Sequence, residues 1–223
     1  MGFRALTIEK GRSWGQPAVD PSPDAVAGGD AELAAMAADA LQRGSALVAR
    51  VTGGDLLRTI GVSGIRPPTE RIAYPIDLVM ARLGQGDERP LGPPLPFVAH
   101  LTAQPPGRSI GMVGRLLGHR LPFSAVVMNA AWLGDLRLGL RAHPNDGVVD
   151  TIEGRIRFGD RREASRRARS GSHLPHPDLR AGRAATWEAD FVRAQSIRLD
   201  GVDRGRFRVV RVEVIADALT VVA

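Results

Sequence analysis

Ten residues past the middle of the chain, Arg141-Ala142-His143-Pro144-Asn145-Asp146-Gly147-Val148-Val149-Asp150, hold two carboxylates, an imidazole, a proline and a turn-forming Asn-Asp-Gly. A hairpin turn needs only the Asn-Asp-Gly, so His143 and the second acid, Asp150, are left over for a purpose of their own. A second pattern occurs twice: Gly28-Gly29-Asp30 and Thr52-Gly53-Gly54-Asp55. Each follows a short apolar run and precedes a helical one. A turn of this kind exposes backbone N–H groups at a helix N-terminus and favours phosphate. A single copy reads more readily as a tight turn closed by an aspartate cap. Two copies at equivalent topological points favour a phosphate or nucleotide edge.

The elements that position these residues follow from periodicity. Residues 24–27 and 46–51 are strand candidates. Between them Leu33, Met36, Ala37, Ala40 and Leu41 recur at helical spacing on one face, with Asp30 expected at the N-cap and Gly44 placed to end the helix. A short helix is expected over residues 56–60, closed by Gly61. Strand, turn and helix in succession make a parallel βαβ arrangement with both glycine turns at strand C-termini. Ahead of it, residues 3–8 read as a strand and Trp14 as the anchor of a Gly/Pro-rich lead-in.

After the Pro67-Pro68 linker the pattern changes. Strands are expected over 72–83, 96–102, 124–131, 148–158, 186–191, 196–199, 207–215 and 219–222, with helices only at 161–168 and 111–117. Val210, Val212 and Val214 alternate with Arg211 and Glu213, as in a strand with one buried face. The expected fold is α+β: a small α/β part over residues 1–66 packed on a larger antiparallel β-sandwich over 67–223, whose final strand can return to the first part.

Composition narrows the class. The 223 residues are 43% hydrophobic and 24% charged, ordinary for a globular protein. No apolar run reaches the length of a membrane span, no secretory signal opens the chain, and a cytoplasmic location is expected. The absence of cysteine excludes disulfides, thiolate metal sites and cysteine nucleophiles. Of 30 basic residues Lys10 is the only lysine, and residues 155–169 contain seven arginines. That run reads first as a solvated face and second as a non-specific contact for an anionic lipid surface or nucleic acid. At 4% aromatic residues the chain has few platforms for stacking on bases, so no specific nucleic-acid signal is present. His173-Leu174-Pro175-His176 reads as an exposed turn, so no metal-ligand set is assigned. Trp132 and Trp187 read as packing residues, and Asp77 as a structural acid.

Taken in order, Val26-Ala27-Gly28-Gly29-Asp30, Thr52-Gly53-Gly54-Asp55, Val127-Met128-Asn129 followed by Gly134, Asn145-Asp146-Gly147-Val148-Val149-Asp150, and Leu199-Asp200-Gly201 before a β tail resemble the diacylglycerol kinase/sphingosine kinase-like lipid kinases of the NAD kinase-like superfamily. The resemblance covers roughly residue 24 to the C-terminus. It implies an α/β nucleotide part on a β-sandwich, ATP with Mg as cofactors, and Gly28, Gly29, Asp30, Thr52, Gly53, Gly54, Asp55 and Asp200 lining the nucleotide site. Asp146 would be the general base that activates a lipid hydroxyl.

The departures are specific. Ala31 and Glu32 replace the Gly and Thr that end the family's first motif, Gly54 stands where Asn is expected, and Val202 replaces a glutamate. Glu32 brings a negative charge to a triphosphate site. Phosphoryl transfer depends on positioning and charge neutralisation, so these losses slow it severely. The resulting expectation is a divergent lipid-kinase-like protein with a nucleotide- or lipid-binding cleft between its parts. The alternatives are an active ATP-dependent lipid kinase using Asp146, and a non-enzymatic module for an anionic lipid or protein; self-association is left open.

Overall fold

The computed structural model describes residues 14–17, 23–61, 72–86, 90–106 and 123–223. The expected strand at 3–8, the helix at 111–117 and the Pro67-Pro68 linker lie outside these residues. The first unit is the expected βαβ arrangement. Strand β2 (Ala25–Ala27; β1 is Gln16–Pro17) runs parallel to β3 (Val48–Val51), and helix α1 (Asp30–Gln42) connects them. Leu33, Ala34, Ala37 and Ala40 bury the inner face of α1, while Leu41 stays 42% exposed. Gly44, at φ 67°, turns the chain out of the helix in the left-handed conformation that glycine adopts without strain. Helix α2 (Asp55–Ile60) follows β3 and ends at Gly61, also left-handed.

Asp30 is expected at the N-cap of α1, but Gly29 occupies that position in extended backbone and Asp30 is the first helical residue. The shift of one residue points the Asp30 carboxylate at α2.

The remaining strands are β4 (Ile72–Gly84), β5 (Leu95–Phe97), β6 (His100–Gln104), β7 (Ala125–Met128), β8 (Trp132–Leu133), β9 (Leu136–Arg137), β10 (Val149–Gly154), β11 (Leu179–Ala184), β12 (Thr186–Leu199) and β13 (Val202–Val222). Eleven strands join edge to edge in one hydrogen-bonded sheet along the path β1-β4-β13-β12-β6-β7-β10-β11, with β2, β3 and β5 attached beside it and β8–β9 forming a small ribbon. The two stretches 186–191 and 196–199 are one strand interrupted by a bulge, and so are 207–215 and 219–222. Polar residues at Arg193 and Asp217 mask this continuity, because a bulge breaks the period of two that marks a strand.

Strand β13 ties the molecule together. It pairs with β12 and β4 through most of its length, then beyond Asp217 its residues Thr220–Val222 run parallel to β3 while still bonded to β4. Its Val210 and Val212 are buried and Arg211 is exposed, as the alternation requires. Three apolar clusters result: Leu33, Ala37, Val51, Leu56 and Ile76 in the βαβ unit; Phe97, Leu101, Val127 and Leu199 in the middle of the sheet; and Met128, Leu138, Ile152 and Ala168 beneath helix α3 (Arg161–Arg169). Ala164 and Ala168 pack α3 inward and Arg162, Arg166 and Arg169 face solvent, so much of the basic run is a solvated helix face. Among the described residues no helix is long and apolar enough to cross a membrane.

Candidate functional site

The two glycine turns meet. Thr52 N donates to Ala27 O at 3.0 Å, and a Cβ on Gly53 would stand 3.1 Å from Gly28 O. Asp30 Oδ2 accepts from Asp55 N at 2.7 Å and Asp30 Oδ1 from Leu56 N at 3.2 Å, so the aspartate of the first turn caps the helix of the second. Gly54 makes room for it: at φ 113°, its missing Cβ would lie 2.2 Å from Asp30 Oδ1. Glu32 folds back on the first turn, where its Oε2 accepts from Gly28 N at 2.7 Å. Gly29, Thr52 and Gly53 shape this joint with backbone alone, apart from the Thr52 hydroxyl, which donates to Ala27 O at 3.3 Å.

Asp55 and Asp200 converge on His100 at the start of β6. His100 Nε2 and Asp55 Oδ2 are 3.0 Å apart, and Gly134 N donates to both Asp55 oxygens at 2.9 and 3.1 Å. Asp200 and Gly201 are the two central residues of the β12–β13 hairpin, at φ 47° and 80°. The Asp200 carboxylate turns inward and accepts from Val98 N, Ala99 N and His100 N at 2.8, 3.0 and 2.9 Å. Burial, reinforced by the charge of Asp200, pushes the Asp30 carboxyl up to about 6. Burial also pushes Asp200 up, against the pull of His100 and the three N–H groups. At Asp55 and His100 burial is the largest influence and disfavours charge, but their mutual hydrogen bond, the Gly134 N–H on Asp55 and the opposite charges around each together outweigh it: Asp55 sits below the usual range and His100 above.

His100 is absent from the residues that the sequence singles out, because an isolated histidine after Val98-Ala99 has no motif spacing to mark it. Asp30, Asp55 and His100 offer ligand atoms all within 4.8 Å of one another. Such a mixed imidazole and carboxylate set suits a transition ion better than Mg, which prefers oxygen ligands in near-octahedral array. ATP with Mg does not fit the turns as arranged: Glu32 occupies the Gly28 amide, and Asp30 is turned into the fold to hold α2.

Asp146 belongs to a second centre. It pairs with the Arg183 guanidinium and accepts from Val148 N at 3.2 Å, while Arg183 Nε stands 3.1 Å from Asp150 Oδ1. Burial raises the Asp146 carboxyl above its ordinary value against the pull of Arg183. Asp77, fully buried, organises the loop: its Oδ2 accepts from Gly147 N at 2.8 Å, its Oδ1 from Asp217 N at 3.0 Å, and its own N–H donates to Pro144 O at 2.7 Å. This is the structural acid expected there. Asn145 bonds Asp217. His143 packs edge-on to Trp14 at 4.5 Å, and Trp14 also meets Tyr74 at 4.8 Å, so His143 serves the lead-in anchor. The buried Asn129 joins the two centres by donating to Asp77 O at 3.2 Å and Val98 O at 2.8 Å.

Other readings sort in the same way. His173 is not in an exposed turn: it is 1% exposed, because it lies against the apolar cluster under α3. Trp132 packs beneath Arg58, 3.6 Å from ring centre to guanidinium, and Trp187 Nε1 donates to Glu153 Oε1 at 2.8 Å. Two open grooves stand apart from the glycine turns. One of about 560 Å³ includes Leu41, Met80, Trp187 and Ile215, and one of about 380 Å³ lies along β10 and β11.

No family model and no curated protein matches the sequence. Solved structures do match. Two Bacillus anthracis proteins named as candidate diacylglycerol kinases align at 12% identity: one at TM-score 0.54 over 89% of this chain and 77% of that one, the other at 0.52 over 79% and 68%. A third structure from that bacterium, named a diacylglycerol kinase, aligns at 12% identity and TM-score 0.47 over 79% of this chain and 66% of its own length. With most of its strands in one large sheet and few helices, the chain has the mixed α+β fold of the bacterial diacylglycerol kinase-like proteins.

Proposed function

We propose that this chain is a divergent lipid-kinase-like protein that binds a lipid and does not transfer phosphate at an appreciable rate. One observation carries the reading: the groups that would hold nucleotide phosphates are bonded to one another, Gly28 N to Glu32 and Asp30 to the N-terminus of α2. A triphosphate arriving there meets a carboxylate in place of free amides, and phosphoryl transfer has little other than positioning and neutralisation to draw on. Titration of the chain with ATP–Mg is expected to give no heat at millimolar nucleotide. Saturable binding would contradict the reading.

A second reading, an active ATP-dependent lipid kinase with Asp146 as base, is favoured by the raised Asp146 carboxyl. It requires transfer of labelled phosphate from ATP to a hydroxylated lipid, abolished in Asp146→Asn while the melting temperature holds. Contact with an anionic membrane belongs to the leading reading, since Arg162 and Arg169 of α3 are exposed. Vesicles containing phosphatidylglycerol are expected to sediment the chain at low ionic strength and to release it as salt is added. Sedimentation unaffected by salt counts against that contact.

A further inference from the structure

Asp30, Asp55 and His100 reach one point from three separate elements, α1, α2 and β6. Asp200 reaches the same histidine from the β12–β13 hairpin, so three carboxylates crowd one imidazole that is only 5% exposed. Arg58, the cation beside Asp55, is held over Trp132 and on Gly134 O. Carboxylates in such excess over cations favour a further positive charge where water is excluded.

The hydrogen bonds leave room for it. Asp30 Oδ1 and Oδ2 each accept one backbone N–H, and both Asp55 oxygens share the N–H of Gly134, so each oxygen keeps a lone pair. Those amides become the outer partners that orient ligating carboxylates. An ion would displace only the proton between His100 Nε2 and Asp55 Oδ2. That pair, at 3.0 Å, is near the spacing of about 3.4 Å between ligands of a tetrahedral ion with bonds of about 2.1 Å. With no two ligand atoms more than 4.8 Å apart, Asp30 completes the set by moving in at most about 1.4 Å. The Asp55 side chain, 19% exposed beside the exposed Gly54, gives an ion its way in.

We propose that Asp30, Asp55 and His100 bind one divalent transition ion, zinc in preference to magnesium, which clamps the βαβ unit to β6 of the large sheet. The imidazole makes the choice: zinc takes nitrogen and oxygen ligands in tetrahedral array, whereas magnesium holds to six oxygens. The site is independent of the lipid reading, and it departs from the ATP–Mg expectation in its ion, in its histidine ligand and in needing no nucleotide.

The test is calorimetric titration of the untagged, chelator-stripped full chain with zinc, manganese and magnesium chlorides. Zinc is expected to bind at one per chain, manganese more weakly, and magnesium at least about tenfold more weakly than zinc. At one hundred times its dissociation constant, zinc should raise the melting temperature by about 5–10 °C. Asp55→Asn and His100→Gln can each keep a hydrogen bond across the pair, yet both are expected to lose at least about tenfold in zinc affinity; His176→Ala keeps it. In the wild-type chain manganese is expected to broaden the NMR signals of the His100 ring and the Gly134 amide and to spare His173 and His176, which locates the ion without any variant. Absence of zinc binding at millimolar metal, broadening centred on another histidine, or full affinity in a folded Asp55→Asn or His100→Gln overturns the site. Magnesium binding as tightly as zinc overturns the choice of ion.

Discussion

Placing asparagine at Gly54, the residue that the resembled family carries there, is expected to destabilise the chain by about 3 kcal/mol or more. Two costs combine. Backbone at φ 113° and ψ 172° is territory that essentially only glycine occupies, worth about 1–3 kcal/mol for another residue. A Cβ at that position also collides with Asp30 Oδ1, at 2.2 Å. Asp30 can yield only by abandoning Asp55 N and Leu56 N, and hydrogen bonds to a charged group are worth about 1.5–3 kcal/mol each. Urea denaturation measures the loss. The double variant Gly54→Asn/Asp30→Ala should recover less than the full deficit, since the strain at residue 54 persists after the collision is removed. Wild-type stability in Gly54→Asn would mean that Asp30 does not occupy the space beside residue 54.

Asp77→Ala is expected to cost about 3 kcal/mol, because two backbone donors, Gly147 N and Asp217 N, lose a buried carboxylate acceptor together. Asp77→Asn should behave differently and depend on pH. Burial, with the charges of Asp217 and Asp146, raises the Asp77 carboxyl to about 6. A carboxyl raised in the folded chain takes up a proton more readily than in the unfolded one. The stability it contributes is therefore fully present below about pH 4 and lost as pH rises through about 6. A displacement of that size corresponds to about 3 kcal/mol. Wild type should gain on Asp77→Asn as pH falls from 7.5 to 5, which paired denaturation curves at the two values will read. A difference independent of pH would show that Asp77 does not titrate in that window. His143 and His173, which burial lowers, act in the opposite sense, so the comparison with the single variant is the informative one.

Local pattern carried much of the architecture. Apolar residues at helical spacing located α1, glycines at φ 67° and 85° closed both helices of the first unit, and Val-Arg-Val-Glu-Val marked β13 as a half-buried strand. Each depends on neighbours within one turn of helix or a few residues of strand. Strand β11, Leu179–Ala184, carries no strand pattern, because its glycine and two arginines break any alternation. It is an edge strand, which tolerates such a sequence, and its charged side chains discourage further pairing.

What the sequence by itself determined is the local backbone of its motif residues: both Gly-Gly-Asp turns, the Asn145-Asp146-Gly147 loop and the Asp200-Gly201 hairpin. Their types and local backbone requirements are written in short segments. Only the tertiary structure decided what their carboxylates do. Asp30 caps a helix 25 residues further on, Asp200 closes on amides about 100 residues before it, and Asp146 is held by an arginine 37 residues beyond it. A carboxylate fits a phosphate site, a helix cap and an ion pair equally well, and the donor it meets is set by the packing of distant strands. For the same reason Asp150, left unexplained by its own loop, finds its partners in the Arg183 guanidinium of β11 and the Arg141 amide.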